Sequence, residues 1–295
     1  MNLLNQTKII LGTAQFGLDY GINNSIRKNS QISVNQILDK AYVNNIKLLD
    51  TAEAYGNAHE VIGNYHCQSL NKFDIISKFD FSRSDLPKNL YQRTRKNLET
   101  LKVNYIYCYM FHSYADFLNF HRKYKIQIIN LKKAGLIKKL GVSVYTNKEV
   151  ENILVYGGVD LIQLPFNLLD NKYQRYNILK TLKSRGIEVH IRSTFLQGLF
   201  FKEIDTYPNK LKPLSPYIKY IKRLVNENNI SVINLALGYS LSQRLVNNVI
   251  IGVDSVNQLI ENLKESRIIV PKHILEKIDN IVVRETELLS PLNWN

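Results

Sequence analysis

The chain is poor in cysteine, with Cys67 and Cys108 the only two among 295 residues. Two cysteines are too few for a disulfide framework or a cysteine-rich zinc site, and this usage suits a reducing compartment. Neither residue belongs to a Cys-x-x-Cys motif or a Cys/His cluster with the spacing of metal ligands. We therefore predict no metal centre, and we expect both cysteines to be small buried hydrophobic side chains.

Long apolar runs are also missing. No stretch approaches the ~18 apolar residues that a membrane-spanning helix needs. The first ten residues, MNLLNQTKII, lack the charged-then-apolar order of a signal peptide. The sequence contains no low-complexity tract either, so we expect a soluble, cytoplasmic protein with no membrane partner.

Acidic residues are scarce relative to basic ones: 25 Asp and Glu stand against 39 Lys and Arg, a formal net charge of +14. Such an excess is typical of nucleic-acid-binding proteins. Here, however, the basic residues are scattered singly or in pairs, and no dense basic arm is present. We expect a solvated basic surface and no nucleic-acid partner, with attraction of an anionic substrate or a phosphate-bearing cofactor as the functional alternative.

Short apolar runs recur along the chain, each followed by a stretch with helical spacing. The runs are nearly continuously apolar rather than alternating, which is typical of parallel strands covered on both faces. Gly135 and Gly186, each just before a run, are predicted helix C-terminal stops. Residues 35–45 and 90–101 have apolar residues at helical spacing. The eight runs are residues 8–14, 46–52, 74–80, 105–112, 137–144, 161–167, 187–195 and 247–253.

Eight such strand-helix units without a linker predict one α/β domain over residues 1–295, a parallel eight-stranded (β/α)8 TIM barrel. The segment between residues 195 and 247 has three prolines and is predicted to hold a loop before its helices. The tail after residue 271 is predicted to add an extra C-terminal helix and loop. In such barrels the active site lies at the C-terminal ends of the strands.

Four chemically versatile side chains fall at those strand ends. Asp50 lies at the end of the second predicted strand, just before Thr51 and Ala52, and Tyr55 lies in the following loop. Lys78 is near the end of the third run, and His112 ends the fourth. Taken alone, each of the four has a structural explanation. In the order given, they could be a helix cap, a packing aromatic, an ordinary surface lysine and a histidine with satisfied hydrogen bonds. Their convergence on three adjacent strand ends favours a shared chemical role.

That role is predicted from the residue types. Asp50 can supply the counter-charge for Lys78, whose ammonium would lower the pKa of Tyr55 from about 10. The phenol could then exchange a proton with a carbonyl or an alcohol, while His112 orients the substrate oxygen. No reductant or obvious nucleophile accompanies the four residues, so carbonyl chemistry here requires an external hydride donor.

Seven segments, in order, resemble the aldo/keto reductase family, whose members are (β/α)8 barrels that move a hydride between NADPH or NADH and a carbonyl. The resemblance spans residues 8–263 and implies the same four catalytic roles. The segments are DTAEAYGNAHEVIG from residue 50, ISKF from 76, YIYCYMFHSY from 105, IKKLGVS from 137, LIQLPFNLLD from 161, RSTFLQGLF from 192 and VIIGVDSVNQLIENL from 249.

The resemblance further implies residues that hold the nicotinamide half of the cofactor. Ser143 and Gln163 match the family's contacts to the nicotinamide amide, but Val144 stands where an asparagine is usual. Arg192 replaces the usual tyrosine that stacks on the nicotinamide. A guanidinium can also stack on a flat ring, and its charge would disfavour the oxidised, cationic nicotinamide. The remaining residues assigned to this half are Gly12, Thr13 and Ser193, with Gln15 facing the mouth.

The other half of the cofactor is assigned to two later segments. Phe195, Leu196, Gln197 and Gly198 would wrap the pyrophosphate through backbone amides. The closing segment has no basic residue for a 2′-phosphate, and Gln258 takes a usual arginine position. The resemblance thus implies NADP(H) as the family default and NAD(H) as the alternative. The residues assigned in the closing segment are Gly252, Ser255 and Gln258 near the phosphate or ribose, and Glu261 and Asn262 at the adenine.

Three functions stay open at this point. The first is reduction of a small-molecule carbonyl, with an anionic or nucleotide-linked sugar among the candidates, because LGTAQFGLDYGINN from residue 11 resembles members encoded among bacterial surface-polysaccharide genes. The second is a cofactor-binding regulatory or scaffold member of the family with little turnover. The third is an unrelated barrel enzyme, a metal hydrolase or a phosphosugar isomerase. Oligomeric state and physiological direction do not follow from the sequence.

Overall fold

The computed structural model describes residues 8–19 and 29–294. All eight predicted runs form parallel strands, which pair in sequence order and close into a barrel, β8 against β1. The predicted (β/α)8 TIM barrel is therefore confirmed. The strands are β1 (Ile9–Gly12), β2 (Leu48–Asp50), β3 (Asp74–Phe79), β4 (Ile106–Phe111), β5 (Ile137–Ser143), β6 (Leu161–Pro165), β7 (Glu188–Arg192) and β8 (Asn248–Gly252).

Helices follow the strands and form the outer layer. They are α1 (Ala14–Gly17), α2 (Gln31–Val43), α3 (Ala58–Gln68), α4 (Leu90–Leu101), α5 (Tyr114–Lys133), α6 (Asn147–Tyr156), α7 (Lys172–Ser184), α8 (Ser215–Glu227), α9 (Val232–Ser242), α10 (Val256–Glu265) and α11 (Lys272–Asp279). The predicted loop after residue 195 contains three 3₁₀ turns, Leu196–Phe201, Ile204–Thr206 and Asn209–Leu214, before α8. The extra C-terminal helix is α11, followed by two more 3₁₀ turns, Thr286–Leu289 and Pro291–Asn293.

Local sequence sets the helix ends. Ser30 caps α2 by accepting a hydrogen bond from the Ser33 amide, so this helix begins at residue 31 rather than at the predicted 35. Gly135 and Gly186 each adopt a φ of 69° just after α5 and α7, as expected of helix C-terminal stops.

Side-chain alternation along the strands divides the core in two. Residues such as Leu49 and Ile75 face outward and pack in the main hydrophobic cluster. A second, smaller cluster is formed by Ile10, Ile76, Cys108, Met110, Leu161 and Ile250. Because Ile76 belongs to this second cluster, Lys78 two residues later lies on the same face of β3, at the C-terminal end of the strand.

One burial prediction is half wrong. Cys108 is buried on β4, as expected, but Cys67 is exposed near the end of α3.

No helix within residues 8–19 and 29–294 is long and apolar enough to cross a membrane. The same residues contain no group of three or more His, Cys, Asp or Glu side chains that could hold a metal ion.

Candidate active site

Asp50 and Lys78 form a buried ion pair at the C-terminal ends of β2 and β3. Lys78 Nζ lies 2.5 Å from Asp50 Oδ1 and also donates to the Thr51 carbonyl at 3.2 Å. The second carboxylate oxygen, Oδ2, accepts a hydrogen bond from Gln163 Nε2 at 2.7 Å. Asp50 thus has a partner on each oxygen, and it does not cap a helix, since Asn57 precedes α3.

The charge on Lys78 is maintained by its neighbours. Burial by itself would lower the pKa of this lysine, but the charges of Asp50 and Tyr55 and hydrogen bonds to both raise the pKa above its ordinary value of 10.5. The Tyr55 ring lies 5.3 Å from Lys78 Nζ, measured to the ring centroid. A permanent ammonium is therefore held against the tyrosine hydroxyl.

His112 also contacts Tyr55. The two rings meet edge to face, with centroids 5.9 Å apart and an interplanar angle of 82°. Burial, and secondly the charge of Lys78, lowers the pKa of His112 to about 4. The imidazole is therefore neutral at pH 7, with one N–H available as a donor. The structure brings all four predicted side chains together.

The loop between Asp50 and Tyr55 is fixed by a residue that the sequence analysis missed. Glu53 is 3% exposed and accepts hydrogen bonds from Arg93 Nε at 2.9 Å, Asn97 Nδ2 at 2.6 Å and the Asp80 amide at 2.7 Å. The Tyr109 hydroxyl is a fourth donor. A second acid in the same short loop was the available signal, because a carboxylate buried there requires partners.

A cleft of about 450 Å³ runs from Asp50 and Tyr55 across the end of β1 to the start of α10. Most of the predicted cofactor residues line it. These are Gly12, Thr13, Gln163, Arg192, Ser193, Phe195, Gln197, Gly198, Gly252, Gln258, Glu261 and Asn262. Lining residues without a predicted role include Thr194, Ile233 and Asp254.

Three predicted cofactor residues do not line the cleft. The Leu196 side chain is buried in the hydrophobic core. Ser143 is buried at the end of β5, and Ser255 caps α10 by accepting a hydrogen bond from the Gln258 amide at 3.2 Å. Lys78 and His112 are likewise outside the lining, since the cleft reaches only the Asp50 and Tyr55 side of the group.

The segment after β7 has an unusual backbone that shapes the middle of the cleft. Left-handed φ values occur at Ser193 (61°), Leu196 (46°), Gln197 (52°) and Gly198 (88°). The Leu196 amide donates to the Ser193 carbonyl at 2.8 Å, and the Gly198 amide donates to the Phe195 carbonyl at 2.9 Å. Mixed right- and left-handed residues of this kind make concave anion-binding turns. Two of the four predicted pyrophosphate amides are, however, already bonded within the turn.

Arg192 has a protein partner that the sequence did not indicate. Its guanidinium carbon lies 4.2 Å from the centroid of the Tyr145 ring, and Nη2 donates to the Val144 carbonyl at 3.1 Å. One face of the guanidinium is thus covered by Tyr145, and stacking on a nicotinamide stays a prediction. The strand order places β5 and β7 on either side of β6, which brings these loops together.

The cleft suits a nicotinamide dinucleotide. It offers a stacked guanidinium beside the proton-transfer group and a concave turn in the middle. Its far end has hydrogen-bonding side chains from α10. There the buried Oδ1 of Asp254 has no hydrogen-bond partner among the residues that the structure describes.

Comparisons with known proteins agree with this architecture. Over 258 residues the chain is 25% identical to YqkF, an uncharacterized oxidoreductase of Bacillus subtilis, covering 80% of this chain and 82% of the relative. It is 24% identical to the NADH-specific methylglyoxal reductase of Escherichia coli, and the match covers 79% of this chain and 82% of that relative. Each is a distant relative that shares most of the length.

Solved structures show the same fold at lower identity. The glycerol dehydrogenase AKR11B4 from Gluconobacter oxydans superimposes with a TM-score of 0.71 at 19% identity, covering 94% of this chain and 91% of that one. The aldo-keto reductase AKR11C1 from Bacillus halodurans gives a TM-score of 0.72 at 17% identity, with 94% of each chain covered. Because the model of the aldo/keto reductase family matches residues 8–283, the chain belongs to that family and is an NAD(P)-dependent oxidoreductase.

Proposed function

We propose that this single-domain barrel reduces an aldehyde or ketone to an alcohol at the expense of NAD(P)H, with Tyr55 as the general acid. The observation that carries the proposal is the buried Asp50–Lys78 pair beside Tyr55, whose ring also contacts His112. The bound dinucleotide would supply the hydride. Gln163 and Arg192 at the mouth, and the turn at residues 193–198, would hold it.

Lys78 has the central electrostatic role. Its ammonium, kept charged by Asp50, hydrogen-bonds to Tyr55 and stabilises the phenolate that remains after the tyrosine gives up its proton. The proton passes from the Tyr55 hydroxyl to the carbonyl oxygen, which becomes the alcohol oxygen of the product. In the reverse direction the same phenolate would take the proton from an alcohol.

His112 orients the substrate. As a neutral imidazole at pH 7 it donates one N–H to the carbonyl oxygen that Tyr55 protonates. The two rings are in edge-to-face contact, which supports a shared role at one carbonyl oxygen.

The substrate is proposed to be a small polar carbonyl compound, with sugars and nucleotide-linked sugars included. The name of the Escherichia coli relative, a methylglyoxal reductase, supports a small carbonyl. The net charge of +14 suits an anionic one. Part of the segment that resembled polysaccharide-cluster members, residues 20–24, lies outside the described residues.

The test is a Tyr55→Phe variant assayed by nicotinamide absorbance on a carbonyl panel that includes methylglyoxal and nucleotide-linked keto-sugars. We expect kcat to fall by about 10²- to 10⁴-fold, with cofactor affinity unchanged. Tyr91→Phe, on the exposed side of α4, is the matched control and should retain full activity. Full turnover by Tyr55→Phe would refute the assigned role. Tight cofactor binding without turnover on any carbonyl would favour the scaffold alternative.

A further inference from the structure

The end of the cleft away from Tyr55 is acidic. Asp254, which follows β8, and Glu261 on α10 both line it. Among the described residues that line the cleft, Arg192 is the single basic one, and its guanidinium is stacked on Tyr145 at the mouth. A ligand group that enters the far end therefore meets carboxylates and, within the described lining, no cation.

The proposed function decides which part of the cofactor lies at each end, and the inference rests on it. The hydride and the Tyr55 proton must reach one carbonyl, so the nicotinamide has to lie beside Tyr55. A dinucleotide in an elongated cleft then places its adenosine at the opposite end, near Asp254 and Gln258. In NADH the ribose of that adenosine carries two free hydroxyls, whereas in NADPH one of them carries a phosphate.

The hydrogen bonds of Asp254 are incomplete. Its Oδ1 is buried without a partner among the residues described, and its Oδ2 receives only a long contact of 3.4 Å from Gln258 Nε2. The Asp254 amide donates to Gln258 Oε1 at 2.8 Å, so the backbone holds the residue in place. Burial raises the pKa of this carboxyl, with Gln258 acting in the opposite direction. The carboxylate lines the cleft and has acceptor capacity that Gln258 does not fill, and ribose hydroxyls are donors.

A competing attraction exists at the same place, because the N-terminus of a helix favours anions. At α10 the partial positive charge of the helix N-terminus is already compensated. Ser255 Oγ accepts a hydrogen bond from the Gln258 amide, and Asp254 supplies a negative charge one residue before Ser255. A 2′-phosphate would be a second anion beside the first, which is unfavourable at short range.

We propose that Asp254 is a specificity-determining residue that accepts hydrogen bonds from the ribose hydroxyls of the adenosine half and repels a 2′-phosphate, so that the chain prefers NADH to NADPH. In doubly wound dinucleotide-binding folds, which are a different architecture, an acidic residue discriminates by the same chemistry, by hydrogen-bonding the free 2′-hydroxyl.

The experiment is a calorimetric titration of the purified protein with NADH and with NADPH, without any carbonyl. We expect NADH to bind at least ~10-fold more tightly at low salt, and the ratio to shrink as salt screens the repulsion. Asp254→Asn should reduce the ratio about 10-fold, chiefly by tightening NADPH, and Asp254→Ser should do the same. Glu276→Gln, which removes an exposed acid from α11, should leave the ratio unchanged.

The outcomes separate the two proposals. If NADPH binds as tightly as NADH, or if both Asp254 variants keep the wild-type ratio, the role of Asp254 is wrong while the proposed reduction stands. If neither dinucleotide binds, both proposals are overturned. Competition by 5′-AMP and by adenosine 2′,5′-bisphosphate gives a second readout, in which the bisphosphate should be the weaker competitor against NADH.

Discussion

Lys78 Nζ lies 2.5 Å from Asp50 Oδ1, and each of these side chains is at least 94% buried. Two charges removed from water stabilise a protein only when their geometry compensates for the lost hydration. Here the compensation is completed by Gln163 on the other carboxylate oxygen and by the Thr51 carbonyl on the ammonium. Loss of either charge should therefore be costly, whereas loss of both should not.

We predict that Asp50→Asn lowers the free energy of unfolding by about 3 kcal/mol, because it leaves the ammonium of Lys78 buried and unpaired. The double variant Asp50→Asn/Lys78→Met should recover most of that loss and yet remain inactive. Urea denaturation and turnover assays at pH 7 measure the two effects. Recovery of activity together with stability in the double variant would show that the pair is structural only.

The contribution of the Asp50–Lys78 pair to the free energy of unfolding depends on pH, and the pKa of Lys78 sets the direction of that dependence. Folding raises the pKa of Lys78 above 10.5, so the contribution of the pair to stability is complete at neutral pH. It is lost only as the pH rises through the raised value in the folded state.

Histidines control stability on the acid side. Burial is the main cause that lowers the pKa of both His59 and His112 to about 4, against 6.5 in the unfolded chain. Between these values the unfolded chain binds protons that the folded protein excludes, so the free energy of unfolding falls as pH falls from 6.5 to 4. The buried His59 should account for roughly 3 kcal/mol of this loss.

The measurement is urea denaturation at several pH values between 7 and 4.5. His59→Asn should flatten the acid slope, whereas the control His273→Asn, on the exposed face of α11, should retain it. An unchanged slope in His59→Asn would mean that this imidazole is already charged in the folded protein.

The part of the site that the sequence predicts correctly is the part that depends on the positions of the strands. Continuous apolar runs predicted parallel strands, and the placement of Asp50 and Lys78 at adjacent strand ends predicted their contact, which the structure confirms. Strand alternation and barrel closure are periodic properties, so a sequence pattern can show them.

The rest depends on contacts that no local pattern encodes. Glu53 is held by side chains from α4 and β4, and Tyr145 meets Arg192 across β6. Asp254 was part of a recognised segment, but its unpartnered oxygen appears only in three dimensions. Cys67 was expected to be buried because cysteines usually are, yet its position on α3 leaves it exposed.

Arg192 should bias the cofactor toward its reduced form. The oxidised nicotinamide ring is a cation, and a guanidinium beside it is repulsive, whereas the reduced ring is uncharged. We predict that Arg192→Gln lowers the ratio of the dissociation constants of oxidised and reduced dinucleotide by about 5-fold, since a repulsion of ~1 kcal/mol is removed.

Fluorescence titration of each form measures that ratio directly. Arg185→Gln, at the exposed end of α7, removes the same charge at a remote position and is the control. Identical ratios in wild type and Arg192→Gln would mean that the guanidinium, stacked on Tyr145, lies too far from the nicotinamide to affect its charge.

Glu53 is predicted to position Tyr55. Its carboxylate joins the loop after β2 to Arg93 and Asn97 on α4 and to Tyr109 on β4, and Tyr55 is two residues away. A shift of about 1 Å in a reacting group can cost ~100-fold in rate. We therefore expect Glu53→Gln to lower kcat by roughly that factor. The dissociation constant of the cofactor should stay unchanged, because most residues that line the cleft belong to the segments after β1, β7 and β8.

Loss of stability alone could imitate a fall in kcat, so the control is another buried side chain with a purely structural set of partners. Asn171 is fully buried and donates to the Ile278 and Ile281 carbonyls at 2.8 and 2.9 Å. Asn171→Ala should destabilise the barrel by about 1–3 kcal/mol, as expected for unsatisfied buried partners, and should keep its kcat when assayed well below the melting temperature. If Glu53→Gln and Asn171→Ala lose kcat equally, the network of Glu53 supports the fold and not the placement of Tyr55.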